Sequence, residues 1–231
     1  MTRSSRIELD PEVPFEAERR EMLEVQIRRR GIRDSRVLEA MCEVPRHKFV
    51  PPSLADHAYE DRPLPIGEHE TISQPYIVAA MTQAAQVRPG EKILEVGTGS
   101  GYQAAVLAYL GARVYSVERN PALAETARVR LAELNYREIT LICGDGSEGY
   151  PSQAPYDAIL ITAAAPKVPP ILTQQLADGG RLVIPVGDLA QQVLLLIFKH
   201  GSEQHTRTLD PCQFVPLIGK YGWPEKTIRT H

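Results

Sequence analysis

The sequence predicts an α/β fold: a doubly wound, mostly parallel sheet with helices on both faces and an antiparallel strand near the C-terminus. Three observations carry that expectation. The run Lys92–Val96 alternates toward burial and then meets glycines at 97, 99 and 101, so a strand stops at a turn where backbone must approach something closely. Beyond it, short apolar runs alternate with Ala- and Leu-rich segments of helical length, the pattern of parallel strands joined by crossover helices. Finally, the run 191–199 is strongly apolar with no long helix before it, which predicts a hairpin and an antiparallel edge. A chain of 231 residues with 43% hydrophobic content supports one sizeable core, and the unbroken alternation argues for a single domain over 1–231.

Taken in order, residues 1–14 are polar and read as a loose N-terminal arm. Residues 15–30 carry Met22, Leu23, Val25 and Ile27 among many charges before Gly31, which predicts a surface helix with Arg28-Arg29-Arg30 as its solvated end. Asp34 or Ser35 caps a second helix bearing Val37, Leu38, Met41 and Cys42, and Pro45 ends it. Residues 44–67 are too proline-rich for regular structure yet hold several apolar side chains, so they are expected to form a long ordered loop that covers something. His47 and His57 stand alone there and read as polar packing residues, not metal ligands. Pro75 suits the first position of a helix running to Ala85, which makes Gln74 the cap. Ser73 is left just outside, beside free N–H groups that favour an anion.

The core is expected from residue 91 onward. It comprises strand 92–96, a helix over about 101–110, strand 113–118, a helix from Asn120-Pro121 to about 134, and strand 139–143. Strand 156–162, a helix near 168–177, strand 180–185 and the apolar edge strand follow, while Phe214–Leu217 closes the sheet region and 223–231 is a polar tail.

Spacing narrows the ligand. A dinucleotide fingerprint needs a third glycine where Tyr102 stands, and no lysine follows the glycines to serve a phosphate loop. Glu118 ends the next strand, where an acid can accept both ribose hydroxyls, so the turn points to an adenosine-type ligand that need carry no phosphate. Asp145 ends the third strand beside Gly146, where it can meet an adenine amino group or simply make a surface turn. These three loops fall at the carboxyl ends of adjacent parallel strands, the usual ligand position in open α/β sheets. The formal net charge of −3 gives no general pull toward nucleic acid or anionic membrane. Cys42, Cys143 and Cys212 are odd in number and widely spaced, which fits a reducing cytoplasm better than a disulfide framework or a zinc site. No stretch approaches the roughly 20 apolar residues that span a bilayer.

With these residues in hand the sequence resembles the S-adenosylmethionine-dependent methyltransferases and, within them, the protein-L-isoaspartate O-methyltransferases. The resemblance runs from about 20 to 222. It is carried by Val44-Pro-Arg-His-Lys-Phe-Val-Pro51, Ala58-Tyr-Glu-Asp61, Thr71-Ile-Ser-Gln-Pro75, Glu95-Val-Gly-Thr-Gly-Ser-Gly101, Gly144-Asp-Gly146, Thr162-Ala-Ala-Ala-Pro166 and Phe214-Val-Pro-Leu217. The Thr-Ile-Ser-Gln-Pro run is the specific one; the glycine motif is general to methyltransferases.

The resemblance implies a Rossmann-like methyltransferase sheet with its last strands reordered, with 15–90 as N-terminal helices and active-site cover and 91–222 as the cofactor-binding core. It implies methyl transfer from S-adenosyl-L-methionine to the α-carboxyl group of L-isoaspartyl residues in damaged proteins, leaving S-adenosyl-L-homocysteine. The methyl ester then closes to a succinimide whose hydrolysis restores some aspartate. In its terms Ser73 is the active-site serine. Thr71, Ile72, Gln74, Glu95, Gly97, Thr98, Gly99, Gly101, Glu118, Asp145 and Gly146 bind the cofactor, no metal takes part, and Val215 and Pro216 sit near the acceptor peptide. A cytoplasmic monomer is expected, with isoaspartyl proteins and peptides as partners and neither nucleic acid nor membrane. A carboxyl methyltransferase for a dedicated peptide or small acid, and an adenosylmethionine-binding protein without turnover, are the alternatives. Two departures stand out: His69-Glu70, after Glu68, where many relatives have Gly-Gln, and Ile218 where a hydroxyl residue is frequent.

Overall fold

The computed structural model describes residues 15–225, so the arm 1–14 and most of the expected tail lie outside the described residues. The chain begins with α1 (Glu16–Glu21), which widens into π-helical turns (Met22–Arg28), and α2 (Ser35–Glu43). Two short 3₁₀ turns (Arg46–Phe49 and Pro52–His57), a hairpin of β1 (Leu64–Gly67) and β2 (Glu70–Ile72), and α3 (Pro75–Ala85) complete the N-terminal part. The core follows as β3 (Lys92–Val96), α4 (Tyr102–Tyr109), β4 (Arg113–Glu118), α5 (Pro121–Glu133), β5 (Ile139–Cys143) and β6 (Tyr156–Ile161). It ends with α6 (Pro170–Gln174), β7 (Leu176–Gly187), β8 (Gln192–His200) and β9 (Glu203–Cys212).

Strands β3 to β9 form one seven-stranded sheet in the order β5-β4-β3-β6-β7-β8-β9. The five from β5 to β7 are parallel; β8 and β9 are antiparallel to their neighbours. The order reverses at β3, with β4 on one side and β6 on the other, and a crevice at the carboxyl ends of those strands is the geometric consequence. Alternation along β3 sends Ile93 into one core cluster and Leu94 and Val96 into the other. Burial on both faces is why the central strands read as nearly continuous apolar runs.

The N-terminal helix is present but is more than a surface element. Met22 and Ile27 are fully buried, and Arg19 is buried with Nη1 donating to the Cys42 carbonyl and Nη2 to the Tyr59 hydroxyl. Asp34 caps α2 by accepting from the Arg36 N–H. In the proline-rich cover, Arg46 is fully buried, with Nε donating to the Ala58 carbonyl at 2.6 Å and its guanidinium 5.0 Å from the centre of the Tyr102 ring. His47 Nδ1 lies 2.9 Å from the Tyr59 hydroxyl. Burial, then the charges of Arg19 and Lys48, press its pKa down to about 4, so at neutral pH it is an uncharged packing group.

Five segments depart from the sequence reading. The cover contains the β1–β2 hairpin, in which Pro65 pairs with Thr71 in an isolated two-stranded ribbon where a missing N–H is tolerated. The helix near 168–177 shrinks to α6 because β7 already starts at Leu176, with an irregularity in its pairing to β6 before Arg181. The sheet gains a second antiparallel strand, β9, whose residues are mostly exposed and therefore lack an apolar signature. Phe214–Leu217 is not a sheet strand: it lies beside the loop after β6, where Ala164 N–H donates to the Val215 carbonyl and Leu217 N–H to the Ala164 carbonyl. Trp223, expected to begin the tail, is tied in by donating Nε1–H to the Ala164 carbonyl.

Candidate active site

A cleft opens at the carboxyl ends of β3, β4 and β6, roofed by the β2 end of the hairpin and the start of α3. It encloses about 820 Å³ including its solvent-open mouth. Its floor is the glycine turn. Gly97 (φ 95°) and Gly99 (φ 51°) occupy left-handed backbone, and a Cβ on Gly97 would stand 2.4 Å from Thr162 Oγ1. Gly146 has no unusual φ, but a Cβ there would meet Val96 Cγ1 at 2.5 Å, so glycine keeps this wall open.

The cleft brings together Thr71, Ile72, Ser73, Gly97, Thr98, Gly99, Glu118, Gly146, Val215 and Pro216, ten of the residues singled out from the sequence. Ser73 lies two residues before α3, and its hydroxyl has no protein partner among the described residues, whereas Thr98 bonds to Ser116 and Ser147 to Asp145. Glu118 is buried: Oε2 accepts from the Gly99 N–H and Oε1 from the Asn120 N–H, each at 2.9 Å. Each oxygen keeps a lone pair, so the carboxylate holds the glycine turn and can still accept from a ligand.

Four expected residues do not line the cleft. Gln74 stands at the cap position of α3 without capping it, and its amide donates to the Asp61 carboxylate at 2.7 Å, locking the helix to the cover. Gly101 starts α4 at φ 88° and packs against Leu131. Asp145 accepts from the N–H and hydroxyl of Ser147 through Oδ1 and from the Lys220 N–H through Oδ2, so it fastens the loop after Leu217 to the end of β5. Glu95 is fully buried beneath the turn, accepting from the Ser116 hydroxyl, which in turn bonds to Thr98.

Burial, opposed by the Ser116 hydrogen bond and reinforced by the nearby Glu118 charge, lifts the Glu95 carboxyl from its ordinary 4.5 to about 8. The folded protein therefore holds a proton that the unfolded chain has already lost, and stability falls as pH rises from about 4.5 through 8. Between pH 6 and 8.5 the loss attributable to this group is about 2 kcal/mol. Urea unfolding at the two pH values measures it; the Glu95→Gln variant, which cannot titrate, is expected to show a correspondingly flatter dependence.

Sequence reasoning assigned no role to Ser100, Thr162 and Ala163, which line the cleft, whereas the two departures it marked, at Glu70 and Ile218, both line it. Thr162 ends β6 and donates to the Gly97 carbonyl at 2.6 Å, a role signalled only by its place after an apolar strand. Ile218, at the departure from the usual hydroxyl, is buried and makes that wall apolar. Among the charged side chains lining the cleft there are two carboxylates, Glu70 and Glu118, against one guanidinium, Arg119. Such a balance suits a cationic ligand better than a pyrophosphate.

Comparison with known proteins agrees with this geometry. The family model described as protein-L-isoaspartate(D-aspartate) O-methyltransferase matches residues 17–222. A protein-L-isoaspartate O-methyltransferase from Methanoregula boonei is 54% identical over 91% of this chain and 97% of its own. One from Methanoculleus marisnigri is 55% identical over 91% and 96%. Among solved structures, a protein-L-isoaspartate O-methyltransferase superposes with a TM-score of 0.78 at 29% identity, covering 88% of this chain and 67% of the other. A Plasmodium falciparum chain assigned to the same activity, in complex with S-adenosyl-L-homocysteine, has a TM-score of 0.75 at 26% identity, covering 87% and 98%. The match spans nearly all the described residues and includes the cover, the glycine turn and the loop at Val215, so this chain belongs to the protein-L-isoaspartate(D-aspartate) O-methyltransferase family.

Proposed function

We propose that this chain transfers the methyl group of S-adenosyl-L-methionine to the α-carboxyl group of L-isoaspartyl residues in proteins and peptides, opening their repair through a succinimide. The observation that carries the reading is the shared cleft: the glycine turn, Glu118, Ser73, Val215 and Pro216 all line it. The cleft fits the donor because its charged groups favour a cation over a phosphate, and because Gly97 and Gly146 let backbone line it where a Cβ would collide with Thr162 and Val96. When bound, the donor supplies a methyl group on a positively charged sulfur.

In this reading Gly97, Thr98 and Gly99 give the donor close backbone approach, Glu118 accepts from its ribose, and Gly146 leaves room for its base. Thr71 and Ile72 hold it from the roof. Glu95, Gly101, Asp145 and Gln74 act one layer back, by bracing the turn, α4, the acceptor loop and α3. Ser73 donates to the acceptor carboxylate and aims it, while Val215 and Pro216 flank the peptide. An α-carboxyl group has an ordinary pKa of about 3.5, so at neutral pH the acceptor is already the nucleophile and no general base is required. What remains is orientation and exclusion of water.

The chain works, in our reading, as a single-domain cytoplasmic monomer on isoaspartyl proteins, without nucleic-acid or membrane partners. The formal charge of −3 gives no general pull toward nucleic acid or anionic membrane, and no helix among the described residues is long and apolar enough to cross a membrane. Radiolabelled methyl transfer to an isoaspartyl peptide beside its aspartyl counterpart tests the activity. Label is expected in the isoaspartyl peptide alone; equal labelling of both would replace this reading with a general carboxyl methyltransferase.

A further inference from the structure

Glu70, one of the two departures marked in the sequence, lies inside the cleft. Glu70 follows the turn of the β1–β2 hairpin, pairs with Gly67, and lines the same cleft as Glu118. The turn holds it there at a cost, because Glu68 (φ 53°) and His69 (φ 61°) both sit in left-handed backbone that residues with a Cβ avoid. Glu68 Oε2 accepts from Asn120 Nδ2 at 3.0 Å, so the hairpin tip is tethered to the residue that caps α5. The hairpin thus brings a second acidic residue to the donor cleft, near enough to the one on β4 for the two charges to interact.

Resting on the donor assignment above, we propose that Glu70 is a specificity-determining residue whose carboxylate distinguishes the cationic donor from its neutral product. Methyl transfer forms a bond between an acceptor carboxylate oxygen and the methyl carbon and breaks the bond from that carbon to sulfur. The bonding pair stays on sulfur, so a sulfonium becomes a neutral thioether and a carboxylate becomes a neutral ester, with no proton moved. Donor and product therefore differ by one methyl group and one positive charge. A cleft with two carboxylates and one guanidinium feels that charge difference, favouring capture of the donor and release of the product.

Titration makes the effect measurable. The charged groups around Glu70 are Glu118 and Arg119 at the end of β4, Glu95 below Glu118, and Glu68 and His69 on its own hairpin. Burial first, then the Glu118 charge, raise the Glu70 carboxyl to about 7, with Arg119 opposing. A cationic ligand favours the ionised form, so donor affinity rises as pH rises through 7 and a proton leaves on binding; the neutral product shows neither effect.

Isothermal titration of the full chain with S-adenosylmethionine and S-adenosylhomocysteine at pH 6, 7 and 8, in two buffers of different ionisation enthalpy, tests this without any turnover. Donor affinity is expected to tighten about five- to tenfold from pH 6 to 8, with proton release near pH 7. Product affinity should stay within about twofold, and Glu70→Gln should flatten the donor profile and abolish the release. Three results overturn the proposal: a donor profile as flat as the product's, equal pH dependence for both ligands, or a Glu70→Gln profile unchanged from the parent, which would assign the proton to Glu95. If Glu70→Gln binds neither ligand, Glu95→Gln decides: a donor profile that keeps its pH dependence leaves the proton on Glu70, and one that flattens assigns it to Glu95 and overturns the proposal. Failure of the wild-type chain to bind either ligand at any pH would overturn the donor assignment itself, and Glu70's role with it.

Discussion

Replacing Ser73 by alanine is expected to lower kcat for an isoaspartyl peptide by one to two orders of magnitude while leaving the dissociation constant of S-adenosylmethionine within about threefold. The magnitude follows from removing one hydrogen bond to an ionised group, about 1.5–3 kcal/mol. The separation of the two effects follows from position. Ser73 stands at the head of α3, lines the same cleft as Val215 and Pro216, and braces neither the glycine turn nor Glu118. Steady-state kinetics with the peptide and calorimetry with the donor check both halves. A variant with parental kcat would remove Ser73 from its aiming role; a variant that loses the donor as well would move it to the cofactor side.

Gly97→Ala is expected to damage fold and donor binding together. The residue sits at φ 95°, and its new Cβ would stand 2.4 Å from Thr162 Oγ1. Thr162 cannot easily retreat, because that oxygen donates to the Gly97 carbonyl at 2.6 Å and forms part of the seam between β3 and β6. Backbone strain and the displaced hydroxyl together cost about 2–4 kcal/mol. For a chain of this size that lowers Tm by roughly 5–12 °C, and donor affinity should fall at least about tenfold. Gly144→Ala provides the contrast, since nothing lies within 4 Å of its added Cβ and its φ is ordinary; its stability should change by less than about 0.5 kcal/mol. Similar Tm losses in the two variants would show that the close approach at Gly97 is unimportant.

Local sequence signals placed most of the elements because they rest on local physics. Pro75 and Pro121 suit the first positions of α3 and α5, the Asn120 side chain caps α5, and the glycines after β3 announce a turn that side chains would block. The sheet was legible as far as its strands were buried on both faces. β9 was missed because it is an exposed edge, and β1–β2 because Pro63 and Pro65 read as breakers, although a two-stranded ribbon tolerates them. Asp145 reads as an adenine contact or a surface turn because it follows a strand, and only the fold shows that its carboxylate also accepts from Ser147 and from the Lys220 N–H, some 75 residues further along the chain.

By itself, then, the sequence determined the α/β class, the glycine turn, Glu118 and the Ser73 loop, all of which depend on neighbours within a few residues. The tertiary structure decided which of these face one another. It seated Val215 and Pro216 in the cleft by pairing their backbone with Ala164, tied Glu95 to Ser116, Gln74 to Asp61 and Asp145 to the Lys220 N–H, and set Glu70 in the same cleft as Glu118. Such choices depend on groups that meet only when distant segments fold together, and burial and partner charges there set whether a carboxylate binds, braces or titrates.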